Sequence, residues 1–255
     1  MNTILFGEGG FLGSEVSKLI FNIKKNKPKK KYKLDLAKTN LILNYLESKK
    51  PDLIINCAVK ANFNVRNSNQ MMKVNYLAVK EMVKYCIKNK KTLIQVSGTI
   101  VHPNLSHYNI KSKIKPKNFY GKTKLFADKF ILKNRSKINF KIIRFGGIYG
   151  LNGPDHLFLN KLINKKKKFF SGNLAAIKNY IHVKDAASCI KKLTKINRSG
   201  IYYAGGQKID FENMIKILNK RCRLNINTIN SIKKKSIEIV KTDSIFKPKS
   251  FGCYL

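Results

Sequence analysis

Tyr120 and Lys124 have the residue types and the spacing of a proton-transfer pair. The chain reads Tyr-Gly-Lys-Thr-Lys from residue 120 to 124, and residues four apart in a helix lie on one face, one turn apart. An ammonium group beside a phenol favours the phenolate and lowers a tyrosine pKa that is ordinarily about 10. Such a tyrosine can act as a general acid near neutral pH. This chemistry suits protonation of a carbonyl oxygen while a hydride attacks the carbon.

A glycine-rich turn follows the first apolar segment. Residues 3–6 are Thr-Ile-Leu-Phe, typical of a short strand, and glycines follow with the spacing Gly7-x-x-Gly10-x-x-Gly13. Residues 14–21 then carry apolar side chains at helical spacing. Strand, turn and helix in this order are the context of a dinucleotide-binding turn, in which the helix N-terminus binds phosphate. The alternative is a plain strand-to-helix turn that happens to be rich in glycine.

Strands and helices alternate through about residue 150. Strands are predicted at 32–34, 53–57, 92–96 and 140–144. Helices are predicted at 70–89 and 120–133, and a further helix that Thr39 caps is predicted to end at about residue 48. This alternation predicts an α/β fold, a Rossmann-type doubly wound parallel sheet with helices on both faces. Ligands of such sheets bind beyond the carboxyl ends of the strands. We therefore expect one crevice to be lined by the residues at those ends, which are Gly7, Asn56, Ser97 and Phe145.

The pattern changes in the second half of the chain. Helices are predicted at 157–168, from 185 to 193 and at 211–220, with a strand at 201–204. We predict a Rossmann domain over 1–148 and a smaller substrate-binding lobe over 149–255. Within that lobe, residues 179–204 are expected to pack back on the Rossmann domain.

Composition limits the class of protein. The 53 Lys and Arg residues against 13 Asp and Glu give a net charge of +40, which raises the question of nucleic-acid binding. Because the excess is almost all lysine and spreads along the whole chain, whereas base and phosphate readout favours Arg, we expect no dedicated nucleic-acid role. The five cysteines form no CxxC pair, so no zinc or other metal site is predicted. No membrane-length apolar run or signal-peptide pattern is present, so a cytoplasmic location and no membrane contact are expected.

Together these segments resemble the extended short-chain dehydrogenase/reductase family, which includes nucleotide-sugar epimerases, dehydratases and ketoreductases. The resemblance covers about residues 1–205 and includes the glycine turn and the Tyr120/Lys124 pair. The string Asn118-Phe-Tyr-Gly-Lys-Thr-Lys-Leu125 looks especially like dTDP-4-dehydrorhamnose reductases, whereas residues 179–185 resemble the epimerase/dehydratase branch. The other matching segments are Asn56-Cys57-Ala58, Val74-Asn75 and Ser97-Gly-Thr-Ile-Val101.

The resemblance implies a role for each matching residue. Tyr120 exchanges a proton with the substrate oxygen, Lys124 holds the nicotinamide ribose and lowers the Tyr120 pKa, and Ser97 hydrogen-bonds the same oxygen. A strand-ending turn serine is the alternative for Ser97, and Thr99 takes its place if the alignment is displaced by two residues. The implied substrate contacts are Thr99, Phe145 and His182, although His182 and Asp185 also fit a helix start. The implied cofactor contacts are Gly7, Gly10, Phe11, Leu12, Gly13, Asp35, Leu36, Asn56, Cys57, Ala58, Tyr120 and Lys124.

The chain also departs from parts of the family pattern. Gly98 and Thr99 stand where a dehydratase carries an Asp-Glu pair, so dehydration is disfavoured. NAD-binding members place an acidic residue near the end of the second strand, but the charged residues at positions 24–34, before Asp35, are all basic here. Lysines near 29–33 can accept a 2′-phosphate, so NADP is favoured over NAD.

These observations predict an NAD(P)-dependent oxidoreductase that acts on a nucleotide-linked sugar, with 4-keto reduction as the reaction. The alternatives are a nucleotide-sugar 4-epimerase with tightly held NAD and a non-catalytic NAD(P)-binding regulatory protein. The resemblance also suggests a homodimer, although no interface is readable in the sequence.

Overall fold

The computed structural model describes residues 1–22, 34–61, 68–164, 168–230 and 236–255. The chain divides into two units. Unit 1 comprises Met1–Pro103, Lys113–Arg144 and Ile190–Tyr202, and unit 2 comprises Asn104–Ser112, Phe145–Cys189 and Tyr203–Leu255. The domain boundary after residue 148 stays a prediction.

Strands and helices are numbered in chain order. The strands in the described ranges are β1 (Thr3–Phe6), β2 (Leu53–Asn56), β3 (Thr92–Gly98), β4 (His107–Tyr108), β5 (Asn139–Phe145), β6 (Ile148–Tyr149), β7 (Phe169–Gly172), β8 (Ile177–Lys178), β9 (Ile181–His182), β10 (Gly200–Ala204), β11 (Ile209–Asp210), β12 (Asn227–Asn230) and β13 (Ile237–Val240). The α-helices are α1 (Phe11–Ile20), α2 (Asn40–Lys49), α3 (Ser68–Met72), α4 (Ala78–Asn89), α5 (Phe119–Lys133), α6 (Phe158–Ile163), α7 (Val183–Leu193) and α8 (Phe211–Cys222).

A parallel sheet forms the centre of unit 1. Within the described residues its strand order is β1-β2-β3-β5-β10. Strand β2 pairs with β1 on one side and β3 on the other, with Leu53 opposite Thr3 and Thr92. All four residues of β2 are buried, as expected for a strand that is covered on both faces. The predicted α/β parallel sheet is confirmed, whereas residues 32 and 33 of the predicted strand at 32–34 lie outside the described residues.

The helices of unit 1 bury one apolar face each against this sheet. Ile42 and Leu46 of α2, Met82 and Val83 of α4, and Ile131 of α5 are fully buried in one core cluster. The predicted helix at 70–89 is present, but Lys73–Leu77 between α3 and α4 is a π-helical segment. Thr39 precedes α2 as predicted, although its side chain makes no capping hydrogen bond.

Unit 2 has smaller sheets and its own core. Within the described residues the sheet orders are β11-β8-β13-β4, β12-β7 and β6-β9. Aromatic and aliphatic side chains from these strands and from α6 and α8 pack together, including Phe170 stacked on Phe211. The predicted helix at 157–168 is shorter in the structure, ending at Ile163, whereas α7 and α8 lie where the sequence predicts them. No helix in the described part of the chain has the length and hydropathy needed to cross a bilayer.

Candidate active site

The glycine-rich turn between β1 and α1 depends on the absence of side chains. Gly7 has a φ of +82°, and a Cβ added there would lie 2.5 Å from the Ala58 nitrogen. A Cβ added at Gly13 would lie 1.9 Å from the Gly7 carbonyl oxygen, a contact that the first turn of α1 cannot accommodate. The Gly10 N–H donates to the same Gly7 oxygen at 2.9 Å. This cradle fits the pyrophosphate of a dinucleotide, because the first backbone N–H groups of a helix have no intrahelical partner and favour an anion.

The segment after β2 connects this turn to the rest of the site. The Cys57 N–H donates to Phe6 O at 2.9 Å, and Asn56 Oδ1 accepts from the Ala58 N–H at 3.1 Å. Asn56 Nδ2 also donates to Gln95 Oε1 of β3 at 2.9 Å. The carboxyl ends of β1, β2 and β3 therefore lie side by side at one edge of the sheet, as the sequence predicts.

Asn75 connects the segment that follows β2 to α5. It lies in the π-helical segment, where its Oδ1 accepts from the Lys60 N–H at 2.9 Å and its Nδ2 donates to Lys60 O at 3.0 Å. The same Nδ2 donates to Thr123 Oγ1 of α5 at 3.1 Å. Asn75 is 1% exposed, so these hydrogen bonds hold α5 without competition from water.

Helix α5 presents Tyr120 and Lys124 on one face. The Asn118 side chain caps this helix by accepting from the Gly121 N–H at 2.8 Å. Lys124 is 4% exposed, and its Nζ donates to Val96 O of β3 at 2.5 Å. Burial lowers the Lys124 pKa to about 8, although the negative charge of the Asp128 carboxylate opposes this effect.

Tyr120 is half-buried at the first turn of α5. Burial raises the Tyr120 pKa to about 12, because the phenolate loses hydration that the phenol needs less. The expectation that Lys124 lowers the Tyr120 pKa is therefore wrong for this structure, since burial determines the direction. A neutral phenol is the form that donates a proton.

Ser97 lies at the carboxyl end of β3, and its hydroxyl is directed towards α5. Its Oγ donates to Asp128 Oδ2 at 3.1 Å. The same carboxylate oxygen accepts from Arg144 Nε at 3.1 Å and Nη2 at 2.9 Å. Asp128 is 0% exposed and Arg144 is 3% exposed, so this is a buried ion pair.

Asp128 and Arg144 were not predicted as site residues from the sequence. Asp128 follows Tyr120 and Lys124 at the same four-residue interval, and this periodicity was the available signal. Arg144 ends the apolar segment that forms β5. A charged residue in a buried parallel strand needs a partner, but the sequence does not identify that partner.

The other expected cofactor contacts have local partners in unit 1. Asp35 is exposed, and its Oδ1 accepts from the Ala37 N–H at 2.9 Å. Leu36 is buried in the core cluster, whereas Phe11 and Leu12 are half-buried at the start of α1. The lysines at 29–33 lie outside the described residues. Cofactor binding by this set stays a prediction.

Phe145 and His182 belong to unit 2. Phe145 ends β5 and is 2% exposed. His182 is 5% exposed, stacks on the Tyr254 ring at 4.6 Å between ring centroids, and accepts the Lys184 N–H at Nδ1. Asp185 accepts from Tyr254 Oη–H at 2.8 Å. Their contact with substrate stays a prediction.

Comparison with known proteins gives the family. A family model described as the RmlD substrate binding domain matches residues 1–237. The chain belongs to this family. The predicted resemblance to the extended short-chain dehydrogenase/reductases, and to dTDP-4-dehydrorhamnose reductases among them, is confirmed. The match also extends past residue 205, where the sequence motifs end.

Similar proteins include both reductases and an epimerase. An ADP-L-glycero-D-manno-heptose-6-epimerase from Brachyspira hyodysenteriae is 24% identical over 254 residues, covering 85% of this chain and 80% of that protein. A dTDP-4-dehydrorhamnose reductase structure from Clostridium acetobutylicum has a TM-score of 0.79 at 18% identity, covering 95% of this chain and 90% of that one. A dTDP-4-dehydrorhamnose reductase from Bacillus anthracis in complex with NADP has a TM-score of 0.79 at 17% identity, covering 98% and 95%. These structural similarities show that the RmlD-family chain has the same fold.

Proposed function

We propose that this protein is an NAD(P)-dependent oxidoreductase that reduces the 4-keto group of a nucleotide-linked sugar, with Tyr120 as the proton donor. The observation that carries the proposal is the continuous set of contacts in unit 1 from the glycine turn to α5. Gly7 packs against Ala58, and Asn56 of β2 donates to Gln95 of β3. Lys124 of α5 donates to Val96 of the same strand, and Asn75 joins Lys60 to Thr123. These contacts join the glycine turn and the helix that contains Tyr120 and Lys124 at the carboxyl ends of the parallel strands.

The cradle fits a dinucleotide, and the cofactor supplies a hydride when it is bound. Gly7 and Gly13 leave room for the backbone of the turn and α1 to approach a pyrophosphate. Lys124 is held in place by Val96, from where its ammonium is suited to hydrogen-bond the nicotinamide ribose. NADP is favoured over NAD, which the NADP complex of the Bacillus anthracis reductase supports.

Tyr120 provides the proton that reduction requires. When the carbonyl carbon accepts a hydride, its oxygen gains negative charge and takes the proton of the Tyr120 hydroxyl. Because burial keeps the Tyr120 pKa well above neutral, the phenol is protonated and ready to donate. Solvent then restores the proton of the phenolate that remains.

A nucleotide-sugar epimerase is the second candidate, which the heptose-6-epimerase relative supports. An epimerase must first remove a proton from a substrate hydroxyl, so its tyrosine must begin as a base. The raised Tyr120 pKa favours the reductase. Net oxidation of the cofactor distinguishes the two, because an epimerase regenerates its cofactor in every turnover.

The test is a panel of keto and hydroxyl nucleotide sugars, with nicotinamide absorbance and product stereochemistry followed together. We expect NADPH to be consumed with a 4-keto sugar. Tyr120→Phe should abolish turnover while NADPH affinity is kept, and Tyr45→Phe on α2 is the matched control. A Tyr120→Phe variant with wild-type turnover would show that Tyr120 is not the proton donor, and a wild type that binds NADPH but transforms no sugar would support the regulatory alternative.

A further inference from the structure

Ser97 matches the family's catalytic hydroxyl position, with Thr99 as the alternative two residues later, and the structure gives the two residues different surroundings. The Ser97 side chain is 6% exposed and donates its hydroxyl proton to Asp128 Oδ2 at 3.1 Å. A serine hydroxyl has a single proton to donate. While that proton is shared with the Asp128 carboxylate, Ser97 has none to offer to a substrate oxygen.

The Ser97 partner also lies far along α5 from the proton donor. Asp128 follows Tyr120 by eight residues, which corresponds to about 12 Å along a helix that rises 1.5 Å per residue. Arg144 donates twice to the same carboxylate oxygen, which holds Asp128 at this position on α5. The hydrogen bond to Asp128 therefore directs the Ser97 hydroxyl away from the Tyr120 end of the helix.

Thr99 begins the short 3₁₀ turn Thr99–Val101, which packs against α5. The contact is at the first turn of the helix, because a Cβ added at Gly121 would lie 2.6 Å from Ile100 O. Gly121 is the residue next to Tyr120. As the chain leaves β3, it therefore passes from the Asp128 end of α5 to the Tyr120 end.

The Thr99 hydroxyl is also chemically available. Thr99 is half-buried, and its side chain forms no hydrogen bond with the residues that the structure describes. A half-buried hydroxyl that none of the described residues engages can donate to a ligand at little cost, since no hydrogen bond within that part of the chain has to break.

We propose that Thr99, and not Ser97, supplies the hydroxyl that hydrogen-bonds the substrate oxygen beside Tyr120. Ser97 is then a positioning residue, which joins the end of β3 to the buried Asp128–Arg144 pair. This inference rests on the proposed reductase function. It differs from the motif-based expectation, in which Ser97 holds the catalytic position.

The test compares kcat/KM, NADPH affinity and thermal stability among four variants. Thr99→Val removes the hydroxyl at constant shape and should lower kcat/KM about 100-fold, as the loss of one hydrogen-bond donor to a developing oxyanion does. Thr99→Ser restores the hydroxyl and should recover most of this loss, which a purely structural role would not predict. Thr92→Val, at the opposite end of β3, is the matched control and should keep wild-type turnover.

Ser97→Ala should lower the melting temperature and reduce kcat/KM by less than Thr99→Val does. An active wild type whose Thr99→Val variant is equally active, or whose Ser97→Ala variant loses more turnover, would overturn the assignment to Thr99 alone. A wild type that transforms no sugar in the panel would refute the proposed reductase function itself, and the role for Thr99 with it.

Discussion

Replacing Lys124 by methionine should stabilise the protein while it abolishes turnover. Lys124 is 4% exposed, and its pKa is lowered from 10.5 to about 8 because burial disfavours the ammonium. The difference between these values corresponds to about 3 kcal/mol at 1.36 kcal/mol per pKa unit. The hydrogen bond to Val96 O would be lost, at about 1 kcal/mol, and Asp128 would keep Arg144 as its partner. The expected net gain at pH 7 is therefore about 2 kcal/mol.

The pH dependence gives the sign of this effect. The folded protein holds the Lys124 proton less tightly than the unfolded chain does, so the ammonium costs stability. This cost is fully present below pH 8 and disappears as the pH rises to 10.5. The stability advantage of Lys124→Met should therefore be largest at pH 7 and should shrink between pH 8 and 10.5.

Urea unfolding of the nucleotide-free wild type and the Lys124→Met variant at pH 7 and 10 measures the difference between their free energies of unfolding. A gain of about 2 kcal/mol should raise the melting temperature by about 4–8 °C. Lys122→Met, on the same helix but exposed, is the matched control and should show neither effect. A Lys124→Met variant that is less stable than the wild type at pH 7, or whose stability advantage does not change with pH, would contradict this prediction. It would mean that the buried ammonium does not destabilise the folded protein.

Two further substitutions test the turn and the buried ion pair. Gly13→Ala should weaken NADPH binding at least 10-fold and lower the melting temperature, because the added Cβ would lie 1.9 Å from Gly7 O. Gly200→Ala is the control, since a Cβ added there has its nearest neighbour at 3.9 Å. Equal NADPH affinity in both variants would contradict the argument that α1 must approach Gly7 closely. Asp128→Asn should cost about 3–5 kcal/mol in urea unfolding, since it leaves the Arg144 charge buried without its carboxylate. The exposed Glu212–Lys216 pair provides the comparison: Glu212→Gln should cause no measurable change, and a similar loss in both variants would mean that burial is not the cause.

Local spacing was enough to predict the main elements of the site. The positive φ at Gly7 and the close approach of Gly13 to Gly7 involve residues only six positions apart. The spacing of the glycines is therefore enough to predict this turn. The Tyr120/Lys124 pair is likewise a property of a single helix, and α5 begins one residue before Tyr120. The parallel sheet follows from short apolar segments alternating with amphipathic helices.

The electrostatic environment of these residues could not be read from the sequence. The Tyr120 pKa depends on how deeply the first turn of α5 is buried, which is set by packing against Thr99–Val101. Spacing alone suggested that Lys124 lowers this pKa, because spacing does not show how much hydration the phenol loses when the chain folds. Serine at residue 97 matched a motif, but its hydroxyl direction depends on Asp128, which is 31 residues away.

The sequence by itself therefore determined the type of fold, the glycine turn and the placement of Tyr120 and Lys124 one turn apart on a single helix, because each of these depends on short-range periodicity and backbone sterics. Only the tertiary structure decided which groups share a proton and which lose contact with water. The Asp128–Arg144 pair and the Asn75–Thr123 hydrogen bond join separate elements. The free energy of such a contact depends on the distance and burial of both partners, which arise when the chain has folded.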